Sequence, residues 1–201
     1  MTQSIARYHV GAIILHWLMA VLILGNLVLG LLLEGIPDDQ KFQFYQLHKS
    51  LGISVLVLAV LRVVWRFMFP APAMLATLKS WEVWAVKITH FLFYGLMVGI
   101  PFSGWALVSA SPRKIPTILF GVVPLPHLPF FDGIEDAEAR KQLSHTIGEA
   151  HELLAFGLLA LLALHIAAAL RHHWILKDET ILRMTPKCFE GLLQKLRGKN
   201  Q

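Results

Sequence analysis

The chain has 201 residues, of which 56% are hydrophobic and 15% are charged, and its mean hydropathy is +0.59. Soluble domains average about 25% charged residues, so the composition excludes an ordinary soluble domain and indicates a chain that largely faces lipid. The net charge of +5 is not accompanied by a nucleic-acid-binding motif, and it fits attraction to anionic lipid. The single cysteine, Cys188, excludes an intrachain disulfide and an all-cysteine iron–sulfur site.

Four apolar segments are each long enough to cross a bilayer, which takes about 20 helical residues. In chain order they run over about 10–33, 47–69, 86–109 and 147–170. Because backbone groups in lipid have to satisfy their own hydrogen bonds, we expect helices. The predicted fold is therefore all-α, an integral membrane four-helix bundle that forms one domain over 1–186.

The connections between these spans differ in length and composition. The first two are short, whereas the third, 111–146, is rich in proline and acidic residues. A connection of this length is usually functional or disordered. The basic segment after Pro186, over 187–201, carries several large apolar residues. Its pattern fits an amphipathic helix at the membrane surface or a frayed tail.

The distribution of lysine and arginine predicts the orientation of the bundle. Twelve of the eighteen lie in the N-terminus, the second connection and the C-terminal tail, counted with the adjoining helix ends. Because connections rich in lysine and arginine remain on the cytoplasmic side, both termini are predicted to be cytoplasmic. The first and third connections then lie at the outer face.

Histidines within the spans are the main candidates for function, because ionisable residues inside a membrane are rare and usually functional. His151 and His165 on the fourth span are separated by about 21 Å of helix and point to nearly the same side. His48 starts the second span at the outer face, and His16 lies near the cytoplasmic start of the first. Depth therefore predicts two pairs, His16 with His165 and His48 with His151.

Such pairs suit two haem b groups, because two imidazoles on facing helices can fill both axial positions of one iron. Bundle cores commonly hold cofactors of this kind. Iron ligated on both sides favours electron transfer over oxygen binding. The rise of the fourth helix between its two histidines places the two haems about 20 Å apart, so together they would carry electrons across the bilayer. Gly52, Gly148 and Ala155 near the outer pair could let a porphyrin approach the backbone, or could serve helix packing.

Other readings of the four histidines remain. They could be polar contacts between helices or proton relays in a haem-free transporter or scaffold. Zinc fits less well, because it usually takes four ligands and neither pair has two more at its own depth.

Two further histidines on the cytoplasmic side are weaker candidates. His90 starts the third span level with His16 and His165, and it could contact a haem propionate or a quinone, or replace one of the ligands. His172 follows His165 by seven residues on the same face and could approach a propionate or a quinone. Both could instead face lipid headgroups.

Five segments occur in a distinctive order: LHW at 15–17, LHKSLGISVLVLAVLRVVWR at 47–66, HFLFYGLMVGIPFSG from His90, HELLAFGLLALLALH at 151–165 and HHWILKDETILRMTP at 172–186. Together they resemble the bacterial cytochrome b561 family, four-helix dihaem cytochromes of the inner membrane, over about 7–186. The resemblance implies that His16, His48, His151 and His165 bind two b haems. It also implies electron exchange with quinone, and some relatives are described as oxidising superoxide.

We therefore expect a dihaem b-type cytochrome of the bacterial inner membrane that exchanges electrons with ubiquinone or another quinone. A superoxide:quinone oxidoreductase is the second hypothesis, in which Lys49, Arg113 and Lys114 form a local positive funnel on an otherwise acidic outer face. A membrane anchor subunit of a larger redox complex is the third, motivated by the long third connection. The expected partners are membrane lipid, quinone and an unidentified periplasmic electron donor or acceptor.

Overall fold

The computed structural model describes residues 5–198, so the extreme ends of the predicted domain and tail, 1–4 and 199–201, lie outside the described residues. Four helices are long and apolar enough to cross a membrane. These are α1 (Val10–Leu32), α2 (Asp38–Met68), α3 (Ser80–Ala110) and α4 (Ala137–Arg171). The prediction of an all-α membrane protein with four spans is confirmed. The cytoplasmic placement of both termini stays a prediction.

Two of the helices begin well before the apolar segments that revealed them. Helix α2 starts at Asp38 rather than near 47, and α4 starts at Ala137 rather than near 147. Acidic residues in the first turn of α2 favour its positive N-terminal end, and the Asp136 side chain caps α4 by accepting from the Glu138 amide. Hydropathy detects only the lipid-facing part of a helix, so it missed these polar turns.

Packing in the bundle links neighbouring helices in sequence. Helix α2 lies against both α1 and α3, and α3 lies against α4. A small central cluster contains Met19, Val55, Ala59 and Met97. Many other large apolar side chains are exposed and few are fully buried, which is the arrangement expected when lipid replaces water around the helices.

The third connection is ordered in the structure. Strands β1 (Thr117–Leu119) and β2 (Val123–Leu125) form an antiparallel hairpin in which Thr117 lies opposite Leu125. A short 3-10 turn, Pro129–Phe131, follows before α4. The connection is held to the end of α3, because the amide of Leu128 donates to the Ser109 hydroxyl at 2.9 Å.

The C-terminal segment folds back against the end of the bundle. Helix α4 continues into a π-helical turn, His172–Leu176, which Lys177 ends in the left-handed conformation (φ 52°). Helices α5 (Thr180–Arg183) and α6 (Glu190–Leu196) follow. The buried Arg183 joins three chain segments, because its guanidinium donates to the carbonyls of Ala6 and Ala73.

The basic tail is helical over α6 and is tied to the N-terminus by Arg7, whose Nη2 lies 2.6 Å from Glu190 Oε2. Phe189, Leu192 and Leu196 are more than half exposed. The tail is thus helical over Glu190–Leu196, and its amphipathic character and its place at the membrane surface stay predictions.

Candidate cofactor sites

His48 and His151 face each other across the bundle, near the end at which α2 begins and α1 finishes. Their ring centroids are 6.2 Å apart. An imidazole nitrogen binds a metal ion at about 2 Å and lies roughly 1 Å from the centre of its own ring, so two imidazoles on one ion have centroids about 6 Å apart. The separation fits one iron between these two rings.

A cavity of about 530 Å³ lies beside this pair and is lined by all four membrane helices. A volume of this order suits a bound organic cofactor. A Cβ atom built on Gly104 would lie 3.0 Å from Cε1 of His151, and one on Gly30 would lie 3.2 Å from Cε1 of His48. Glycine at these two positions therefore lets both rings stand against a neighbouring helix backbone.

These two glycines were missed by the sequence reasoning, which singled out Gly52, Gly148 and Ala155. Gly52 and Ala155 do line the cavity, whereas Gly148 faces the Leu107 side chain. The positions of Gly30 along α1 and of Gly104 along α3 place both residues at the depth of the histidines. Hydropathy does not show which helices are neighbours, so these contacts can be recognised only from the helix packing.

Hydrogen bonds orient the His151 ring for binding through its far nitrogen. Its Nδ1 lies 3.0 Å from the Ile100 carbonyl and 3.0 Å from the Ser103 hydroxyl, which itself donates to Ile100 O at 2.8 Å. A ring that donates from Nδ1 to a carbonyl keeps the lone pair of Nε2 for a metal ion. The backbone of α3 therefore selects the tautomer that a haem iron needs.

His16 and His165 form the second pair, at the other end of the bundle, with ring centroids 6.3 Å apart. The same distance argument fits one iron between them. His90 is also close, because its ring centroid lies 6.4 Å from that of His165. Its Nδ1 donates to the Val86 carbonyl at 2.7 Å, so its Nε2 is also free to bind. The structure brings three imidazoles together here, and the choice of ligands stays a prediction.

Arg62 gives this second site an anion-binding character. Its Nη2 lies 3.3 Å from Nδ1 of His16, and its Nη1 is buried without a hydrogen-bond partner among the described residues. A buried guanidinium with unused donors is costly. If His16 binds iron through Nε2, its Nδ1 carries the hydrogen, so Arg62 has to turn to another acceptor. A haem propionate would supply one.

His172 lies beyond the second pair, in the π-helical turn. It is 9% exposed, and its Nδ1 lies 2.5 Å from Oδ2 of Asp178. Burial opposes ionisation of Asp178, but hydrogen bonds from Thr180 and His172 outweigh it and hold the pKa of Asp178 below its ordinary value. The carboxylate is therefore charged at neutral pH and fixes Nδ1 of His172 as a donor.

Metal binding by side chains alone has little support. His16 and His90 each approach His165, but within residues 5–198 no three side chains of His, Cys, Asp or Glu lie close enough together to share one metal ion. Zinc usually takes four ligands, or three and a water. Paired imidazoles beside a cavity fit a cofactor that brings its own equatorial ligands, as the porphyrin of haem does.

Comparisons with known proteins agree with this geometry. The family model described as prokaryotic cytochrome b561 matches residues 7–187. Cytochrome b561 homolog 2 of Escherichia coli (strain K12) is 32% identical, over 92% of this chain and 95% of its own length. Probable superoxide oxidase CybB of Yersinia pestis is 30% identical, over 90% of this chain and 97% of its own length. Cytochrome b561 homolog 1 of Escherichia coli (strain K12) is 26% identical, over 90% of this chain and 98% of its own length.

These matches run the length of the four membrane helices and include every candidate histidine. A family of this kind implies haem b as the cofactor, and with the membrane-spanning helices it points to a bacterial inner membrane. The chain belongs to the prokaryotic cytochrome b561 family of electron-transport proteins.

Proposed function

We propose that the chain is a dihaem b-type cytochrome that carries electrons across the inner membrane and exchanges them with a quinone. The observation that carries this proposal is the pair of facing imidazoles at each end of one bundle, at 6.2 Å and 6.3 Å between ring centres. Both ends use α4, through His151 and His165, so one helix holds a ligand for each haem.

The bound haems supply one-electron redox chemistry, and the protein positions them. Fourteen residues of α4 separate its two histidines, which corresponds to about 21 Å along the helix axis. With His48 and His16 as the second ligands, each haem would be held by two imidazoles, and the chemistry it would supply is electron transfer. Arg62 would offer a positive charge to an anionic group of a haem at the His16 end. With both termini in the cytoplasm, the His48 site lies near the outer face.

His172 is the candidate quinone contact. Two electrons and two protons convert a quinone to a quinol, so a quinone site needs a group that can transfer protons. His172 has the pattern of such a group, because Asp178 holds its Nδ1 at 2.5 Å. Its Nε2 can then accept a proton from a quinol hydroxyl and, once protonated, donate to a quinone carbonyl oxygen. His90 is the second candidate, since Val86 holds its Nδ1 in the same way.

Oxidation of superoxide is a second candidate function, favoured by the relative named probable superoxide oxidase. Two superoxide ions each lose one electron and leave as O₂, and the two electrons with two protons reduce one quinone to quinol. Lys49 lines the cavity beside His48 and donates to the Pro116 carbonyl at 3.1 Å. With the exposed Arg113 and Lys114 it supplies positive charge that attracts an anion.

The first test is the haem content of purified protein after expression with adequate haem. We expect two b haems per chain, two steps in a redox titration, and reduction by a quinol. One haem per chain at full incorporation would overturn the dihaem proposal. For superoxide, rapid mixing should give faster haem reduction at low salt than at high salt. Equal rates would remove the steering argument.

A further inference from the structure

The β1–β2 hairpin lies alongside α2 and points into the bundle's membrane-spanning region. The amide of Ile118 donates to Oε1 of Gln46 at 3.0 Å, and the amide of Phe120 donates to the hydroxyl of Ser50 at 2.9 Å. Ser50 follows Gln46 by one helical turn, in the direction that leads away from the polar start of α2. The hairpin therefore runs inward along α2, with its turn at the deeper end.

The depth of the turn can be read from its neighbours. Ser50 follows His48 by two residues, which places it about 3 Å further along the axis. The His48 ring lies against Gly30, which precedes the end of α1 at Leu32. The hairpin turn is thus about level with the last apolar turns of α1.

The side chains around this turn are apolar and exposed. Phe120 is 61% exposed, Val122 is 78% exposed and Val123 is 54% exposed. They form one group at the tip, since the turn joins them in sequence. Large exposed apolar groups of this kind mark an interaction surface. At this level the neighbouring helix α1 also exposes large apolar side chains, Leu31 at 57% and Leu32 at 59%.

The backbone of the hairpin is adapted to a medium without water. In the ladder Ile118 pairs with Pro124, and the amide of Ile118 turns outward to α2. The matching outward position on β2 is Pro124, which has no N–H. In the turn, Gly121 donates to the Ile118 carbonyl and Val122 to the Leu119 carbonyl. Both edges therefore present few free donors, as lipid requires.

The turn also holds an aromatic residue in an unfavourable conformation. Phe120 has φ 51° and is followed by Gly121 at φ 73°. The left-handed region is costly for a residue with a side chain, and turns of this kind usually take asparagine, aspartate or glycine. The amide of Phe120 in this conformation donates to the hydroxyl of Ser50, and the side chain is 61% exposed. Strain of this kind is often kept for a function.

We propose that the hairpin, residues 117–125, is a lipid-inserted anchor, with Phe120, Val122 and Val123 among acyl chains of the leaflet at the His48 end. It fixes the third connection to the membrane beside the mouth of the His48 cavity, which Thr117 and Leu125 line.

The test uses full-length protein with haem, reconstituted in phosphatidylcholine vesicles. The native cysteine is removed by Cys188→Ser, and Val122→Cys is labelled with an environment-sensitive fluorophore. Quenching is measured with lipid brominated on the acyl chains and with aqueous iodide. Phe130→Cys is the matched control. It belongs to the same connection and is 77% exposed, but it adjoins Leu128, which is bonded to Ser109 near the end of α3.

Val57→Cys on α2, 53% exposed within the membrane-spanning helix, is the lipid reference. We expect the label at Val122 to behave like the one at Val57, with several-fold stronger quenching by brominated lipid than at Phe130 and weak quenching by iodide. Strong quenching by iodide alone would overturn the proposal, because the turn would be in water. Protection from both quenchers would also overturn it, since a protein surface would then cover the turn.

Val123→Cys repeats the measurement at a neighbouring position in the same exposed group. It keeps the proposal testable if Val122→Cys disturbs folding, which the haem spectrum reports. The outcome is independent of electron transfer to quinone, because quenching reports only the position of the label.

Discussion

The His48 ring on α2 and the His151 ring on α4 stand 6.2 Å apart, centre to centre, beside a cavity of about 530 Å³. This spacing predicts that both residues serve one haem. We expect His48→Ala and His151→Ala each to leave about one haem per chain and to remove the same step from a redox titration. A haemochrome assay on purified protein measures the ratio.

A matched control for these variants is His145→Ala, on the same helix as His151 but exposed and near Glu149. It should keep both haems. If His48→Ala and His151→Ala removed different titration steps, the proposed pairing across α2 and α4 would be wrong.

His90 and His16 compete for the second site, since their rings lie 6.4 Å and 6.3 Å from that of His165. We expect His16→Ala to lose the haem of this site and His90→Ala to keep it. Depth and distance do not separate the two residues, so the expectation rests on the resemblance to the cytochrome b561 family, which implies His16 as the ligand. Low-temperature absorption and electron paramagnetic resonance spectra of the two variants decide between them. The reverse pattern would make His90 the ligand.

Gly104 is expected to be intolerant of a side chain. A Cβ there would lie 3.0 Å from His151 Cε1, and overpacking of this kind costs about 1–3 kcal/mol. We predict that Gly104→Ala weakens binding of the haem at the His48 end, measured by haem loss to apomyoglobin. Gly99→Ala on the same helix has nothing within 4 Å, so it should bind haem normally. It should also gain about 1 kcal/mol of helix stability.

We expect Ser103 to tune His151 as a proposed haem ligand, because its hydroxyl lies 3.0 Å from Nδ1. An acceptor on Nδ1–H makes the imidazole a stronger donor to iron and favours the oxidised state. Ser103→Ala should therefore raise the midpoint potential of the haem at the His48 end and leave the other unchanged. Redox titration of the variant would also assign each potential to its site. A shift in both steps would count against a local effect.

The lowered pKa of Asp178 predicts that the free energy of unfolding depends on pH. Its pKa is depressed below the ordinary 3.8 in the folded chain, so its stabilising effect is present above about pH 4 and is lost as pH falls through the lower folded value. Asp178→Asn should lower the unfolding free energy by about 1 kcal/mol at neutral pH. Thermal melts should show this difference shrinking below pH 4. A difference that persists there would assign the effect to packing.

The same variant tests the quinone proposal. With haem content unchanged, Asp178→Asn should slow electron exchange with quinol, because His172 loses the carboxylate that fixes its Nδ1. Stopped-flow reduction by a quinol measures this. An unchanged rate would remove His172 from the proposed site.

Much of the membrane architecture was accessible from the sequence. Spans are set by runs of apolar residues, and the period and rise of a helix place His151 and His165 on one face at two depths without any knowledge of neighbours. The same arithmetic selects His16 and His48 as their partners. The ring centroids of the two pairs lie 6.3 Å and 6.2 Å apart, and the role of the four residues as ligands stays a prediction. The family was also recognisable, because its motifs occur in order along the chain, and the comparisons confirm it.

Other features depended on the packing of the helices. Gly30 and Gly104 stand against the histidines only because particular helices are neighbours, and His90 reaches His165 only because α3 packs on α4. The hairpin follows α2 through hydrogen bonds to Gln46 and Ser50, which are far from it in sequence. Hydropathy and helical period describe each segment alone, whereas these contacts arise between segments, and the tertiary structure alone specifies them.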